Sequence, residues 1–235
     1  MSDTKADLRE QAWARLRAAG AARFPGVEGR IPNFVGAEAA AERLAGEPVF
    51  EEAAVLKCNP DSPQLPVRRR ALEEGKVIYM AVSKLADPRP FWRLDLEQLE
   101  VPPHRAASIK GASTYGVPVA LDEMESIDLV VCGSVAVDRT GARLGKGGGY
   151  SDLEFALAVE AGLNGPDTVV ATTVHPSQIT TPGIIPVTDH DFPLDLIVTP
   201  DEAIYTDTPL PRPKGIVDEH LEPEKRQAIP VLADR

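Results

Sequence analysis

Apolar residues recur along this chain in two patterns. The first is helical. Leu8, Trp13 and Leu16 fall near one face of a segment from Lys5 to Ala19, while Lys5, Arg9, Arg15 and Arg17 supply its charge. Thr4 is placed to cap this helix, Asp7 completes a capping pattern, and Gly20 ends it. Glu38 to Leu44 reads as a short Ala-rich helix. Gln64 to Glu74 reads as a helix stopped by Gly75, and Tyr150 to Ala161 as one ended by Gly162. The second pattern is the unbroken apolar run: Ala53 to Cys58, Val77 to Val82, Ile127 to Cys132, Thr168 to Val174 and Leu196 to Val198. Strands without inward/outward alternation are buried on both faces. Separated by helices, they predict an α/β fold with a mostly parallel sheet and helices on both faces. Ligands of such sheets bind beyond the carboxyl ends of the strands. Residues 1–205 are assigned to this domain. Residues 206–235, punctuated by Pro209, Pro211, Pro213, Pro223 and Pro230, read as an extended C-terminal arm with one helical turn near Glu222 to Arg226.

Composition narrows the partners. The 235 residues hold 25 Lys+Arg against 36 Asp+Glu, a net charge of −11. That balance argues against DNA and an anionic membrane surface, and it disfavours RNA, because nucleic-acid binding needs a basic stripe. The 22 prolines are about twice the usual share. Many sit in Asn59 to Pro66, in Pro176 to Pro200 and in the arm, at loop positions that shape a cleft. Cys58 and Cys132 lie inside apolar runs and read as small buried hydrophobes, not as a disulfide framework. No signal-like apolar stretch follows Met1, and no apolar run reaches the roughly 18 residues of a membrane span, so a cytoplasmic protein is expected.

The chemistry concentrates in Gly141-Ala142-Arg143-Leu144-Gly145-Lys146-Gly147-Gly148-Gly149-Tyr150-Ser151-Asp152, between a strand and a helix. Glycines let backbone N–H groups turn toward an anion, and the following helix start adds partial positive charge. Arg143 and Lys146 add full charges, so the segment reads as a phosphate cradle. A purely structural glycine turn is the competing reading. Neither common phosphate motif matches. A P-loop would need Gly at Thr140 and a hydroxyl residue at Gly147, and a dinucleotide fingerprint starting at Gly145 would need Gly at Tyr150.

The pattern Gly141-x-Arg143-Leu144-Gly145-Lys146-Gly147-x-Gly149-Tyr150-x-Asp152 resembles the signature of the 5-formyltetrahydrofolate cyclo-ligase family, the methenyltetrahydrofolate synthetases. Lys5-x-x-x-Arg9, the strand from Ile127 to Val131, and Val187-Thr188-Asp189-His190-Asp191 through Pro200 resemble further family elements in the same order. The resemblance covers roughly residues 4 to 204. It implies a three-layer fold, NagB/RpiA/CoA-transferase-like, and a soluble ligase using ATP and Mg²⁺. It also implies cyclisation of 5-formyltetrahydrofolate to 5,10-methenyltetrahydrofolate through phosphorylation of the formyl oxygen. Lys146 and Arg143 would then act on the phosphates with the backbone of Gly145, Gly147, Gly148 and Gly149. Lys5 and Arg9 would approach from the opposite side, Tyr150 would lie near the nucleotide, and Asp152 would help hold Mg²⁺. Asp61, Tyr115, His175 and Gln178 are the candidate contacts to a reduced folate or related heterocycle.

The pterin-facing elements depart from the family pattern. Asn59 to Arg68 lacks the family's Glu-x-x-Thr element, Tyr115-Gly116-Val117-Pro118-Val119 keeps a turn without its carboxylate, and Cys132 to Asp138 lacks a Pro and a Phe. Arg30 to Phe34, Lys57-x-Asn59-Pro60-Asp61, Gly133 to Val137 and Pro213 to Ile216 instead resemble a divergent cyclo-ligase-like branch, the methenyltetrahydrofolate synthase domain-containing proteins. Two alternatives follow. The same nucleotide site serves another substrate, such as a thiamine-related one, or the chain is a non-catalytic nucleotide- or RNA-associated module. His175 reads equally as a substrate contact and as a structural histidine. His190 reads as a turn residue before a metal ligand, and Arg68-Arg69-Arg70 as a solvated helix face, with Arg68 near a strand end.

Overall fold

The computed structural model describes residues 4–233. Helices α1 (Lys5–Ala18), α2 (Ala37–Ala45) and α3 (Pro48–Glu51) precede strand β1 (Val55–Cys58). Then come α4 (Leu65–Glu73), β2 (Val77–Ala81), β3 (Phe91–Leu94), α5 (Pro103–Ala106), α6 (Ile109–Tyr115) and β4 (Val117–Val119). The second half holds β5 (Leu129–Cys132), β6 (Ala136–Asp138), β7 (Arg143–Leu144), α7 (Tyr150–Glu160), β8 (Val169–Thr173), β9 (Ile179–Thr180), β10 (Leu196–Val198) and β11 (Ala203–Tyr205). The arm carries α8 (Pro223–Ala228) and α9 (Pro230–Ala233). Thr4 and Asp7 form the expected capping box on α1.

The main sheet runs β11-β10-β8-β5-β1-β2-β3-β4. Its five central strands, β10 to β2, are mutually parallel. These are the five apolar runs of the sequence. Alternate residues of one strand enter different cores. Leu129 and Val131 pack with α2 and α4, while Val130 and Cys132 pack with Phe155 and Leu157 of α7. Both faces are covered, so every position must be apolar, as the period of two in a strand requires. The antiparallel edges β3, β4 and β11 escaped the sequence pattern. They are short and, at β4, contain a proline, which an edge strand tolerates. A second, three-stranded sheet, β7-β6-β9, carries the chain into the glycine segment. Leu8, Ala12, Trp13 and Leu16 of α1 pack beside it with Ala136 and Leu144.

Two charged groups lie in this core. The run Arg68-Arg69-Arg70 is a solvated helix face only in part. Arg69 and Arg70 are exposed and pair with Glu73 and Glu74 one turn on, contacts worth about 0.3–0.5 kcal/mol each. Arg68 is buried at 1% exposure and donates to the carbonyls of Asn59, Pro60, Asp61 and Ala107. It thereby ties down the turn after β1, and burial pulls its guanidinium down to about 10. Lys57 of β1 forms an ion pair with Glu154 of α7, both buried. Asn59 donates to the same carboxylate (3.2 Å) and accepts from Ser151 (3.2 Å), so the end of β1 is joined to the first turns of α7.

Breaking one side of a buried pair strands a charge, at a cost of about 3–5 kcal/mol. Lys57→Met should lose that much stability in urea unfolding, and Lys57→Met with Glu154→Leu should recover most of it. A single variant as stable as the parent would contradict the pairing. Burial also pushes the Cys58 thiol up to about 12 and raises that of Cys132. Iodoacetamide at about pH 8 should leave both unmodified in the folded protein and label both after unfolding, since only the thiolate reacts. Labelling of the native chain at the rate of a free thiol would overturn their burial.

Candidate functional site

The glycine segment joins β7 to α7 beyond the carboxyl ends of β5 and β1. Gly147 has φ +105°, and a Cβ there would lie 3.3 Å from the Arg9 guanidinium carbon. Gly149 has φ +69° and forms the N-cap of α7, with no side chain capping the helix. Left-handed backbone at both positions favours glycine. The result is a concave backbone turn opening onto the N-terminus of an eleven-residue helix, which favours an anion.

Most of the cations expected here converge. Arg9 of α1 donates its Nε to the Gly145 carbonyl at 2.8 Å, fixing the near side of the loop. Lys5, one turn earlier, donates to both carboxylate oxygens of Asp191 at 2.8 and 2.6 Å. Burial raises the Asp191 carboxyl, but hydrogen bonds from Lys5 and Thr188 outweigh it and hold the group below the usual carboxylate value. Burial lowers the Arg9 guanidinium, opposed by Asp191. Lys146 is half exposed at the loop, with its Nζ 3.7 Å from Asp61.

Arg143 differs from a surface phosphate clamp. It is buried under the loop, donating to the Gly133 carbonyl (3.1 Å) and to Asp152 (2.7 Å), with its guanidinium 4.2 Å from the Phe192 ring centre. Burial pulls its pKa down, but Asp152 more than offsets this and leaves it raised. Its Nε has no hydrogen-bond partner, an uncommon state for a buried donor. Asp152 is thus held by Arg143 and presents its carboxylate at the mouth of the cradle. Tyr150 begins α7, beside Gly148 and under Lys225 of the arm.

The candidates for the second substrate separate. Asp61 sits against Lys146 and the end of β5. Tyr115 does not reach the cradle. It precedes Val117, which pairs through Arg93 to Tyr79 near the amino end of β2, so it lies three strands from β1 at the opposite end of the sheet. Antiparallel edges cannot be read from a tyrosine-glycine turn alone. Gln178 is 1% exposed and consumed by the backbone. Its Nε2 donates to Ser134 and Val135, and its Oε1 accepts from His175 N–H. It locks the turn between β5 and β6 and has no polar atom left for a ligand.

The ring of His175 is also structural at one nitrogen, since Nδ1 accepts from the Ser177 N–H at 3.2 Å. Burial lowers its pKa, opposed by Asp201. Its edge meets Phe34. Phe34 lines a groove of about 480 Å³ with Arg23, Phe24, Asn33, Glu38 and Ser62. His190 contacts His220 of the arm, Nδ1 to Nδ1 at 2.8 Å. Among the described residues no group of three His, Cys, Asp or Glu side chains is placed to hold a metal unaided.

Sequence reasoning left the roles of Lys57, Asn59 and Glu154 unassigned. Their signal was Lys57-x-Asn59-Pro60-Asp61, a lysine inside an apolar run, which demands a buried partner. Lys225 gave no signal, because its position depends on the path of the arm. No helix of the described residues is long and apolar enough to cross a membrane.

Comparison with known proteins agrees with the pattern in the glycine segment. The model of the 5-formyltetrahydrofolate cyclo-ligase family matches residues 1–200. Methenyltetrahydrofolate synthase domain-containing proteins of Bos taurus and Homo sapiens are 37% and 36% identical over 238 residues, 97% of this chain. The chain spans 61% and 60% of their lengths. A mitochondrial 5-formyltetrahydrofolate cyclo-ligase of Arabidopsis thaliana is 42% identical over 84 residues, 34% of this chain and 30% of its own. The solved 5,10-methenyltetrahydrofolate synthetase of Aquifex aeolicus shares the fold, with a TM-score of 0.52 at 17% identity over 93% of this chain and 99% of that one. The chain belongs to the 5-formyltetrahydrofolate cyclo-ligase family.

Proposed function

We propose that this chain binds ATP with Mg²⁺ in the cradle of Gly145 to Gly149 and closes 5-formyltetrahydrofolate to 5,10-methenyltetrahydrofolate. The observation that carries the reading is one assembly: a glycine turn, the uncapped start of α7, the exposed Lys146, and Arg9 crossing from α1. The residues present fit a polyphosphate. Backbone N–H groups and Lys146 would face its oxygens, and the Asp152 and Asp61 carboxylates supply the hard oxygen donors that Mg²⁺ prefers. Bound Mg²⁺ would neutralise charge on the transferred phosphoryl group.

In the overall chemistry, the formyl oxygen attacks the γ-phosphorus and the bond to ADP breaks. The folate N10 then attacks the activated formyl carbon, and inorganic phosphate leaves. The protein's part is positioning and charge neutralisation. Arg143 acts indirectly in this scheme, by fixing Asp152 and the end of β5 rather than by touching phosphate. Lys5 likewise orients α1 through Asp191. Lys146, as the exposed cation, is the direct phosphate ligand. The groove beside Ser62 and Phe34 offers an aromatic wall next to Asp61 for a flat heterocycle.

A second reading keeps the cradle and changes the acceptor. It is favoured by Tyr115 lying at the far end of the sheet and by the consumed amide of Gln178. A thiamine-related heterocycle would then take the place of folate. A non-catalytic RNA-associated module fits less well with a net charge of −11.

Lys146→Ala should weaken MgATP binding about ten- to a hundredfold by calorimetric titration, the worth of one charge-assisted hydrogen bond. Wild-type affinity in that variant would defeat the assignment of the cradle. Incubation of the parent protein with 5-formyltetrahydrofolate, ATP and Mg²⁺ should produce methenyl absorbance. Retained ATP binding without that absorbance would transfer support to the second reading.

A further inference from the structure

The arm does not leave the body after β11. Thr206 N–H donates to the Asp195 carbonyl, and Arg212 to the Thr168 carbonyl and the Asp195 carboxylate. The arm then meets the last turn of α7, where the Ile216 N–H donates to Glu160 at 2.9 Å. It runs back along α7 to that helix's N-terminus, where α8 begins. Ile229 and Leu232, just beyond α8, are 1% and 0% exposed in the core shared with Phe155 and Phe192. The arm is thus a strap along α7, anchored at both ends. His220 adds a third attachment, to His190 in the loop whose Asp191 holds Lys5.

This path delivers Lys225 to the glycine loop. Its Nζ lies 3.5 Å from where a Gly149 Cβ would stand and 6.0 Å from the Tyr150 ring centre. Its ion partner is Glu222, one turn back on the arm at 3.1 Å, a carboxylate with 65% of its side chain exposed. Such a surface pair is worth little, so the ammonium is free to exchange it for a stronger anion. The neighbouring Arg226 points elsewhere, to Asp218. Gly149 has no side chain between Lys225 and the start of α7, so the amine and the helix N-terminus face the same space.

The geometry points to Lys225 as a phosphate ligand that the C-terminal arm contributes to the cradle, opposite Arg9 and Lys146. The ligand class is a nucleoside di- or triphosphate, and the inference rests on reading Gly145 to Gly149 as a nucleotide phosphate site. The match to the family model ends at residue 200, so this cation comes from outside the segment that defines the family. The strap arrangement also makes the site two-walled: the body supplies Lys146 and Arg9, and the arm supplies Lys225.

Calorimetric titration with MgATP and with adenosine tests this on the full chain. Lys225→Ala should weaken MgATP about tenfold, Lys225→Glu should weaken it further, and Lys225→Arg should restore most of the affinity. Adenosine affinity, where measurable, should not change. Thermal unfolding without ligand should be unaltered in Lys225→Ala, because only the exposed pair with Glu222 is lost. MgATP affinity equal in the parent and in Lys225→Ala would overturn the role of the arm while leaving the cradle intact. Failure of the parent protein to bind MgATP would overturn both.

Discussion

The Arg143 guanidinium joins three parts of the molecule that must agree for the glycine loop to have a shape. One arm of its fork holds the carbonyl of Gly133 at the end of β5, and the other holds Asp152 in the first turn of α7. The Phe192 ring closes it off on one side. A buried guanidinium is costly unless its charge is met, and here the charge is met by Asp152 alone among its hydrogen-bonded partners. Strand end, loop and helix start are therefore fixed relative to one another before any ligand arrives. The Lys57–Glu154 pair repeats the device one strand over, with Asn59 linking the end of β1 to Ser151 and Glu154 of α7. Two buried cation–carboxylate contacts thus orient α7, whose N-terminus is the anion-facing part of the site.

This arrangement gives the net charge of −11 a functional sense. The cations near the loop are sorted by depth. Arg143 is buried and structural, Arg9 and Lys5 are partly buried and pin α1 to the loop and to Asp191, and Lys146 is exposed. A deep cation has exchanged water for a fixed carboxylate and is not free for a ligand. A half-exposed one pays little to release Asp61, because screening by water keeps that contact weak. Carboxylates nearby do not defeat a phosphate site. They hold the cations in place and leave oxygen donors for a divalent metal.

The central sheet was legible because burial on both faces leaves an unbroken apolar run, and α1 because Thr4, Asp7 and Gly20 mark its ends. The glycine segment was legible because few residue types permit its backbone. Three features were not. Phe91–Leu94, Val117–Val119 and Ala203–Tyr205 are short edges whose pairing is set by neighbours far along the chain. That hidden register is why Tyr115, part of a family-like turn, falls at the wrong end of the sheet. Arg68 and Gln178 looked like polar surface or ligand contacts, yet both spend their donors on backbone carbonyls after β1 and β5. A sequence shows that a side chain can donate, and only the fold shows what takes the bond. Lys225 is the same lesson reversed, an ordinary surface lysine until the arm returns along α7.

The central claim is that phosphate binds at the loop between β7 and α7, before any question of what accepts the phosphoryl group. Titration of the isotopically labelled protein with MgATP, followed by backbone amide chemical shifts, tests it most directly. The account expects the largest changes at Gly145, Gly147, Gly148, Gly149 and Tyr150, with smaller ones at Arg9. Changes confined to the groove at Phe24 and Phe34, with the glycine amides unmoved, would contradict it.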